Sequence, residues 1–475
     1  MELLLKDKSR AFGAALVFVI LVISSFLLLY KLGSEPLQDY DETTYAEVTA
    51  ESLASHHLAS FTFLGNPYFN KPPLLFWLMD GTETLMHETE AAARLPSALA
   101  GIVLIATVML TVFWTTRSIY GAAFGGAILA ATSAFIEPAR QVRFDVLVSL
   151  FIMLSLYAFL RGLDDRRWYL LLGIFVGLGV LSKDPIELFA IVAMLAAAAV
   201  YRRIDWLRDP YLWGGVGISL LVALPWHLYE TFRFGEHFWD VYIGNQVIAR
   251  VQTQLFSSGP TNADYFTYLF QFAAPWAAAW CIALLAAFVA WRKLVVKEQA
   301  LLVASIAGVV SVMLVCLVTE TKAISYMIPL YPFMAITIAM TMVGLGRFRI
   351  EGLRTALVTL AVCLTAYGLW LSAYNGFHLN GYYASGDALA KEEKTIGEDL
   401  LAHHATQFYI YDTTTLGSVM YYSRIVASQW ISSLPPKGSY LLYQTDELRK
   451  LEEAYPQMRL ASVYQGVSLS LGVIE

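Results

Sequence analysis

Acidic, basic and aromatic residues of this chain gather in a few short segments, each beside a long apolar run. The first is PLQDYDETTYAE, which carries Asp39, Asp41, Glu42, Tyr45 and Glu47. Asp39 followed by Glu42 three residues on reads as the capping box of a helix N-terminus. That reading leaves out Asp41, and it leaves Tyr45 and Glu47 at helical spacing behind it. A carboxylate placed there can take the proton of an attacking hydroxyl. The second segment, PYFNKPPLLFWL, sets Tyr68, Asn70 and Lys71 before a double proline. Proline starts a helix well, and a lysine at a helix start makes an anion site that suits a lipid phosphate. An anchor to ordinary headgroups is the plainer alternative. The third, EPARQVRFDVLVSL, holds Arg140, Arg143 and Asp145 just before an apolar run, as a salt-bridged cap or as part of a site. LSKDPIE repeats the basic-then-proline pattern at Lys183, and TETKAISYMIPLYP puts Lys322 and Tyr326 beside another apolar run.

The elements that must position these groups are membrane spans. Of 475 residues, 57% are hydrophobic and 15% charged, and the mean hydropathy is +0.56. That is too little charge to cover a soluble protein of this length, and several runs reach the roughly 20 residues that cross a bilayer. Spans are expected near 11–30, 92–115, 119–138, 146–161, 168–182, 185–201, 211–230, 265–290, 299–318, 325–345 and 353–373. Residues 11–30 are read as a retained first span, because no small-x-small cleavage site follows.

Basic clusters then separate the spans: Lys6, Lys8 and Arg10; Arg117; Arg161, Arg166 and Arg167; Arg202, Arg203 and Arg208; Arg292, Lys293 and Lys297; Arg347, Arg349 and Arg354. All fall on the side of the N-terminus, which the positive-inside rule makes cytoplasmic. The stretch 72–88 would break this order if it crossed, and it carries Asp80 and Glu83, so it is expected to lie in the outer interface. Residues 375–475 turn polar and alternate in QFYIYDTT and SYLLYQTD, with helical patterns near 386–403 and 446–455, as in a small outer α/β domain. The domain division expected is therefore 1–374 for the membrane part and 375–475 for the outer part.

The net charge of −6 is sorted by side, and no basic run suits nucleic acid. Cys281, Cys316 and Cys363 sit in apolar runs without metal-ligand spacing. Ionisable residues are scarce at mid-depth, where coupled transporters place them. They cluster instead at the outer ends, where Arg233 and Arg250 join those named above.

In this order the segments resemble the GT-C membrane glycosyltransferases of the aminoarabinose-transferase and protein-O-mannosyltransferase type. The resemblance runs over residues 10–345 and rests on DYDETTYAE, YFNKPPLLFWL, ARQVRFDVLVSLF, GLGVLSKDP, GNQVIAR and KAISYMIPLYP. It implies a polytopic α-helical fold of about 11–13 spans, with interfacial helices in the first outer loop and a C-terminal soluble α/β domain. It implies Asp41 as the base and Asp145 near the same site. Lys71 and Arg250 would hold the carrier phosphate, and Tyr45 and Tyr68 would touch substrate. Glu42, Asn70, Arg140, Arg143, Lys183, Lys322 and Tyr326 complete the expected contact set. Thr44 stands where the aminoarabinose transferases carry Arg, Asn70 where they carry Glu, and Val247 where a His is frequent. A divalent metal, the donor sugar and the acceptor therefore stay open.

The expected reaction is inverting transfer of a sugar from a polyprenyl-phosphate carrier to a hydroxyl-bearing lipid, glycan or protein, at the periplasmic face of a bacterial inner membrane. The leaving group is already an anion and needs cations rather than a proton donor, so one base suffices where a glycosidase uses two carboxylates. A lipid-carrier flippase and a non-catalytic glycolipid-binding relative are the alternatives.

Overall fold

The computed structural model describes residues 2–87, 89–183, 185–202, 204–255, 259–348, 350, 352–378, 384–411, 417–425 and 428–475. The chain forms two compact units. One comprises Met1–Tyr30, Phe69–Trp77 and Leu95–His378; the other comprises Lys31–Tyr68, Leu78–Arg94 and Leu379–Glu475.

The first unit is helical. Among the described residues, 8 helices are long and apolar enough to cross a membrane: Ala11–Leu29, Glu90–Thr116, Phe144–Gly162, Pro210–Phe234, Trp276–Lys293, Val296–Val318, Ile324–Leu345 and Leu353–Tyr374. The pair Ile119–Ala130 and Ser133–Ala139, bent by 68°, makes a ninth. Trp168–Val180 and Leu188–Tyr201 are apolar but shorter, at 13 and 14 residues. Each expected span thus coincides with an apolar helix or the bent pair, and the protein is a multi-span membrane protein.

One boundary is corrected. The span expected at 265–290 is two helices, Asn262–Phe272 and Trp276–Ala290. Pro275 lacks an N–H and pushes the residue before it out of the helical region, so the first helix ends short of it. The stretch 72–88 forms the helix Leu74–Met86, of 13 residues, which is not among the helices long enough to cross.

Close packing explains some small residues. Trp168–Val180 and Pro210–Phe234 meet where a Cβ on Gly173 would run into the backbone of Gly215, and one on Gly215 into the carbonyl of Tyr169. Only glycine lets two backbones approach so closely, and without a hydrophobic drive in lipid such contact is what joins helices.

In the second unit a five-stranded mixed sheet runs in the order Ser428–Trp430, Phe408–Tyr411, Tyr440–Gln444, Leu469–Ile474, Leu460–Gln465. The first three strands are parallel and the last two antiparallel to their neighbours. Ile396 and Leu400 of the helix Ala384–Ala402 pack with Phe408, Ile410, Leu442, Leu469 and Leu471 in a buried core. The α/β character read from the alternating tail is therefore present. The unit also takes in 31–68 and 78–94, which follow the first helix. Leu64, at the tip of the hairpin Thr62–Phe63/Asn66–Pro67, packs against the same core. Asp39 accepts from the backbone N–H groups of Gly417 (3.1 Å) and Ser418 (2.8 Å) at the start of the helix Gly417–Ser423. A carboxylate at a helix N-terminus is the favourable polarity.

Candidate functional site

Within the first unit, a cavity of about 120 Å³ is lined by the polar residues Asn70, Lys71, Lys183, Tyr242, Gln246, Arg250 and Tyr326 and by apolar ones that include Ile186, Phe189, Val312 and Val315. Four separate segments supply the polar groups. Lys71 precedes Pro72 and Pro73, and the backbone N–H of Leu74 donates to the carbonyl of Leu181 at 3.0 Å. That bond ties the lysine segment to the turn that bears Lys183. Tyr242, Gln246 and Arg250 follow at intervals of four along the π-helix Asp240–Ala249 and the turn after it. Such wide helices are rare and recur at functional sites. The segment is held by an aromatic cluster in which Tyr242 stacks on Phe238 at 5.0 Å and meets Trp226 edge-on. Its far end is clamped where the N–H of Thr321 donates to the carbonyl of Arg250 at 2.8 Å.

The cations are fixed by partners. Lys183 Nζ lies 2.5 Å from Asp145 Oδ1, with side chains 13% and 6% exposed. The same ammonium sits 5.4 Å from the ring centroid of Tyr326. Arg250 donates to the hydroxyl of Tyr326 at 2.8 Å. Lys183 and Arg250 thus flank one tyrosine, and Asp145 pairs with Lys183. The cavity is well below the roughly 300 Å³ of a small-molecule pocket. It suits an anionic headgroup rather than a whole lipid.

Other expected site residues lie elsewhere in this unit. Lys322 turns onto the carbonyls of Cys316, Leu317 and Thr319 at the end of the helix Val296–Val318, a basic C-terminal cap. Arg140 does the same for the first helix through the carbonyls of Leu27 (2.5 Å) and Tyr30 (2.9 Å). Arg143 Nε donates to Gln141 Oε1 at 3.0 Å, and its backbone N–H donates to Ser97 Oγ at 3.0 Å. None of the three lines the cavity.

Four expected residues belong to the second unit. Asp41 opens the helix Asp41–Ser55, half-buried, and accepts from the hydroxyl of Tyr45 at 3.3 Å. Glu42 is fully engaged: Arg94 donates to both its oxygens at 2.9 and 2.8 Å while also binding the carbonyls of Leu32, Glu35 and Pro36. Tyr68 is buried and pairs its backbone with Phe61. In the same unit burial pushes the Asp80 carboxyl up to about 6, partly offset by a hydrogen bond from Ser52.

Sequence reasoning missed Tyr242 and Gln246, although GNQVIAR contains one of them and the four-residue spacing to Arg250 was legible. Among the described residues, no group of three or more His, Cys, Asp or Glu side chains is placed to hold a metal ion.

A TM-score of 0.77 over 97% of this chain and 98% of the other relates the fold to the crystal structure of ArnT from Cupriavidus metallidurans bound to undecaprenyl phosphate, at 16% identity. An oligosaccharyltransferase from Archaeoglobus fulgidus, solved with Zn and sulfate, shares it more loosely, with a TM-score of 0.54 at 11% identity over 91% of this chain and 68% of that one. The architecture is therefore GT-C. Residues 70–229 match a family model described as dolichyl-phosphate-mannose-protein mannosyltransferase. The undecaprenyl phosphate-alpha-4-amino-4-deoxy-L-arabinose arabinosyl transferase 1 of Sodalis glossinidius is 28% identical over 69% of this chain and 59% of its own. The corresponding transferase of Pseudomonas savastanoi pv. phaseolicola is 29% identical over 47% of this chain and 44% of its own. The chain is thus similar in sequence to aminoarabinose transferases, and it spans less than two thirds of the length of these relatives.

Proposed function

We propose that the chain is an inverting glycosyltransferase that moves a sugar from a polyprenyl-phosphate carrier to a hydroxyl-bearing acceptor at the periplasmic face of a bacterial inner membrane. The observation that carries this reading is the convergence of Lys71, Lys183 and Arg250 on one cavity that apolar residues also line. The three cations receive the carrier phosphate, and Tyr326 fixes the spacing of two of them. Asp145 acts on Lys183 as a positioning residue rather than on the reacting atoms.

Asp41 is proposed as the base, from the resemblance of DYDETTYAE to the first-loop motif of such enzymes. It takes the proton of the acceptor hydroxyl. The acceptor oxygen bonds to the anomeric carbon from the face opposite the phosphate. The carbon–oxygen bond to phosphate breaks, its electron pair stays on the leaving phosphate, and the cations hold the charge that develops. Tyr45, Tyr68 and Asn70 are proposed as substrate contacts, whereas Glu42 is assigned to the scaffold because Arg94 occupies both its oxygens. The names of the relatives favour undecaprenyl phosphate as the carrier. The cytoplasmic N-terminus and the periplasmic placement of 375–475 follow from the sorting of basic clusters.

The test is to incubate the purified protein and its Asp41→Asn variant with glycolipid extracts and to follow carrier lipids by mass spectrometry. Wild type is expected to release free polyprenyl phosphate, and the variant to turn over about 10²–10⁴-fold more slowly, the usual worth of a general base. Near-wild-type turnover by Asp41→Asn refutes the assignment of the base. Carrier moved between leaflets with its sugar intact refutes transfer.

A further inference from the structure

Gln246 lines the cavity four residues before Arg250, and its side-chain oxygen is buried there without a hydrogen-bond partner. Three other polar groups of the cavity have partners within the protein. Lys183 and Arg250 are cations held by Asp145 and Tyr326, and the hydroxyl of Tyr242 meets His227 Nε2 at 3.2 Å. A buried acceptor left unmatched is unfavourable, and native interiors rarely keep one. The phosphodiester of a loaded carrier cannot satisfy this oxygen, because its ionised phosphate brings acceptors only. The matching group must carry an O–H or N–H.

We infer that Gln246 is a specificity-determining residue that accepts a hydrogen bond from a hydroxyl or amino group of the sugar on the carrier, next to the phosphate held by Arg250. This inference rests on the proposed transfer reaction. The neutral amide suits the task, since a carboxylate at the same place would repel the phosphate. Sites built around a substrate hydroxyl discriminate strongly against an analogue that lacks it, because the buried protein group is then left unpaired. Gln246 therefore sorts loaded carrier from spent carrier.

The experiment compares wild type with Gln246→Leu and Gln246→Met. Two affinities are measured in detergent: for bare undecaprenyl phosphate, and for undecaprenyl phosphate carrying glucose, mannose or 4-amino-4-deoxy-L-arabinose, whichever wild type binds best. Both variants are expected to bind the bare carrier within about twofold of wild type, which also shows that they fold. Their preference for the loaded carrier should fall roughly 10–100-fold. Equal loss for bare and loaded carrier overturns the inference and makes Gln246 a phosphate or structural residue. An unchanged preference overturns it as well. Because binding needs no turnover, a wild type that prefers loaded carrier yet transfers no sugar refutes the transfer reaction and not this contact.

Discussion

Replacing Asp145 by Asn and Lys183 by Met, singly and together, tests whether the Asp145–Lys183 pair is the buried support of the cavity. The charged atoms lie 2.5 Å apart, and the two side chains are only 6% and 13% exposed. At an effective dielectric near 20 the gross attraction at that distance is about 7 kcal/mol. Desolvation of both ions removes much of this, so the net worth of the pair is small, but loss of one partner strands the other charge. Each single variant should therefore lose about 3–5 kcal/mol of unfolding free energy. The double variant, which strands nothing, should lose at least about 2 kcal/mol less than the sum of the singles. Reversible unfolding in mixed micelles, read as a double-mutant cycle, gives the coupling directly. Additivity within about 0.5 kcal/mol, the behaviour of distant independent sites, refutes the reasoning.

Tyr326→Phe removes the hydroxyl that receives Arg250 at 2.8 Å while leaving the ring under Lys183. A charge-assisted bond of this kind is worth about 1.5–3 kcal/mol, so carrier affinity should weaken roughly 10–100-fold, measured as the dissociation constant of undecaprenyl phosphate. Arg94→Met strands the buried Glu42 carboxylate and should destabilise the second unit by about 3–5 kcal/mol, seen as accelerated limited proteolysis of that unit. The pH response of Asp80 has a defined sign. Its folded value, about 6, lies above the ordinary 3.8, so the folded state holds the proton longer and loses stability as pH rises from about 4 to 6. Asp80→Asn should therefore match wild type near pH 4 and exceed it by roughly 1–3 kcal/mol at pH 8, by unfolding at the two pH values. Gly173→Leu should prevent the close approach to Gly215 and lower the thermal midpoint, whereas Gly217→Leu, which faces open space, should leave it unchanged.

Much of this molecule was legible in its sequence. Apolar length and the sorting of basic residues are local properties, and they placed the helices to within a few residues. The exception is 265–290, where Pro275 divides the run. The chemistry-bearing segments were legible too, because a cation before a proline at a helix start has a meaning independent of the rest of the chain. Which of these cations meet was not. Lys322 and Arg140 look in sequence like Lys183 and Arg250, yet they end on helix carbonyls. Glu42 looks like Asp41, yet Arg94, 52 residues away, takes both its oxygens. A side chain reaches only a few ångströms, so its partner is decided by which distant helices pack beside its own. That packing brought Lys71, Lys183, Arg250 and Tyr326 to one cavity and left Gln246 facing it with an unmatched oxygen.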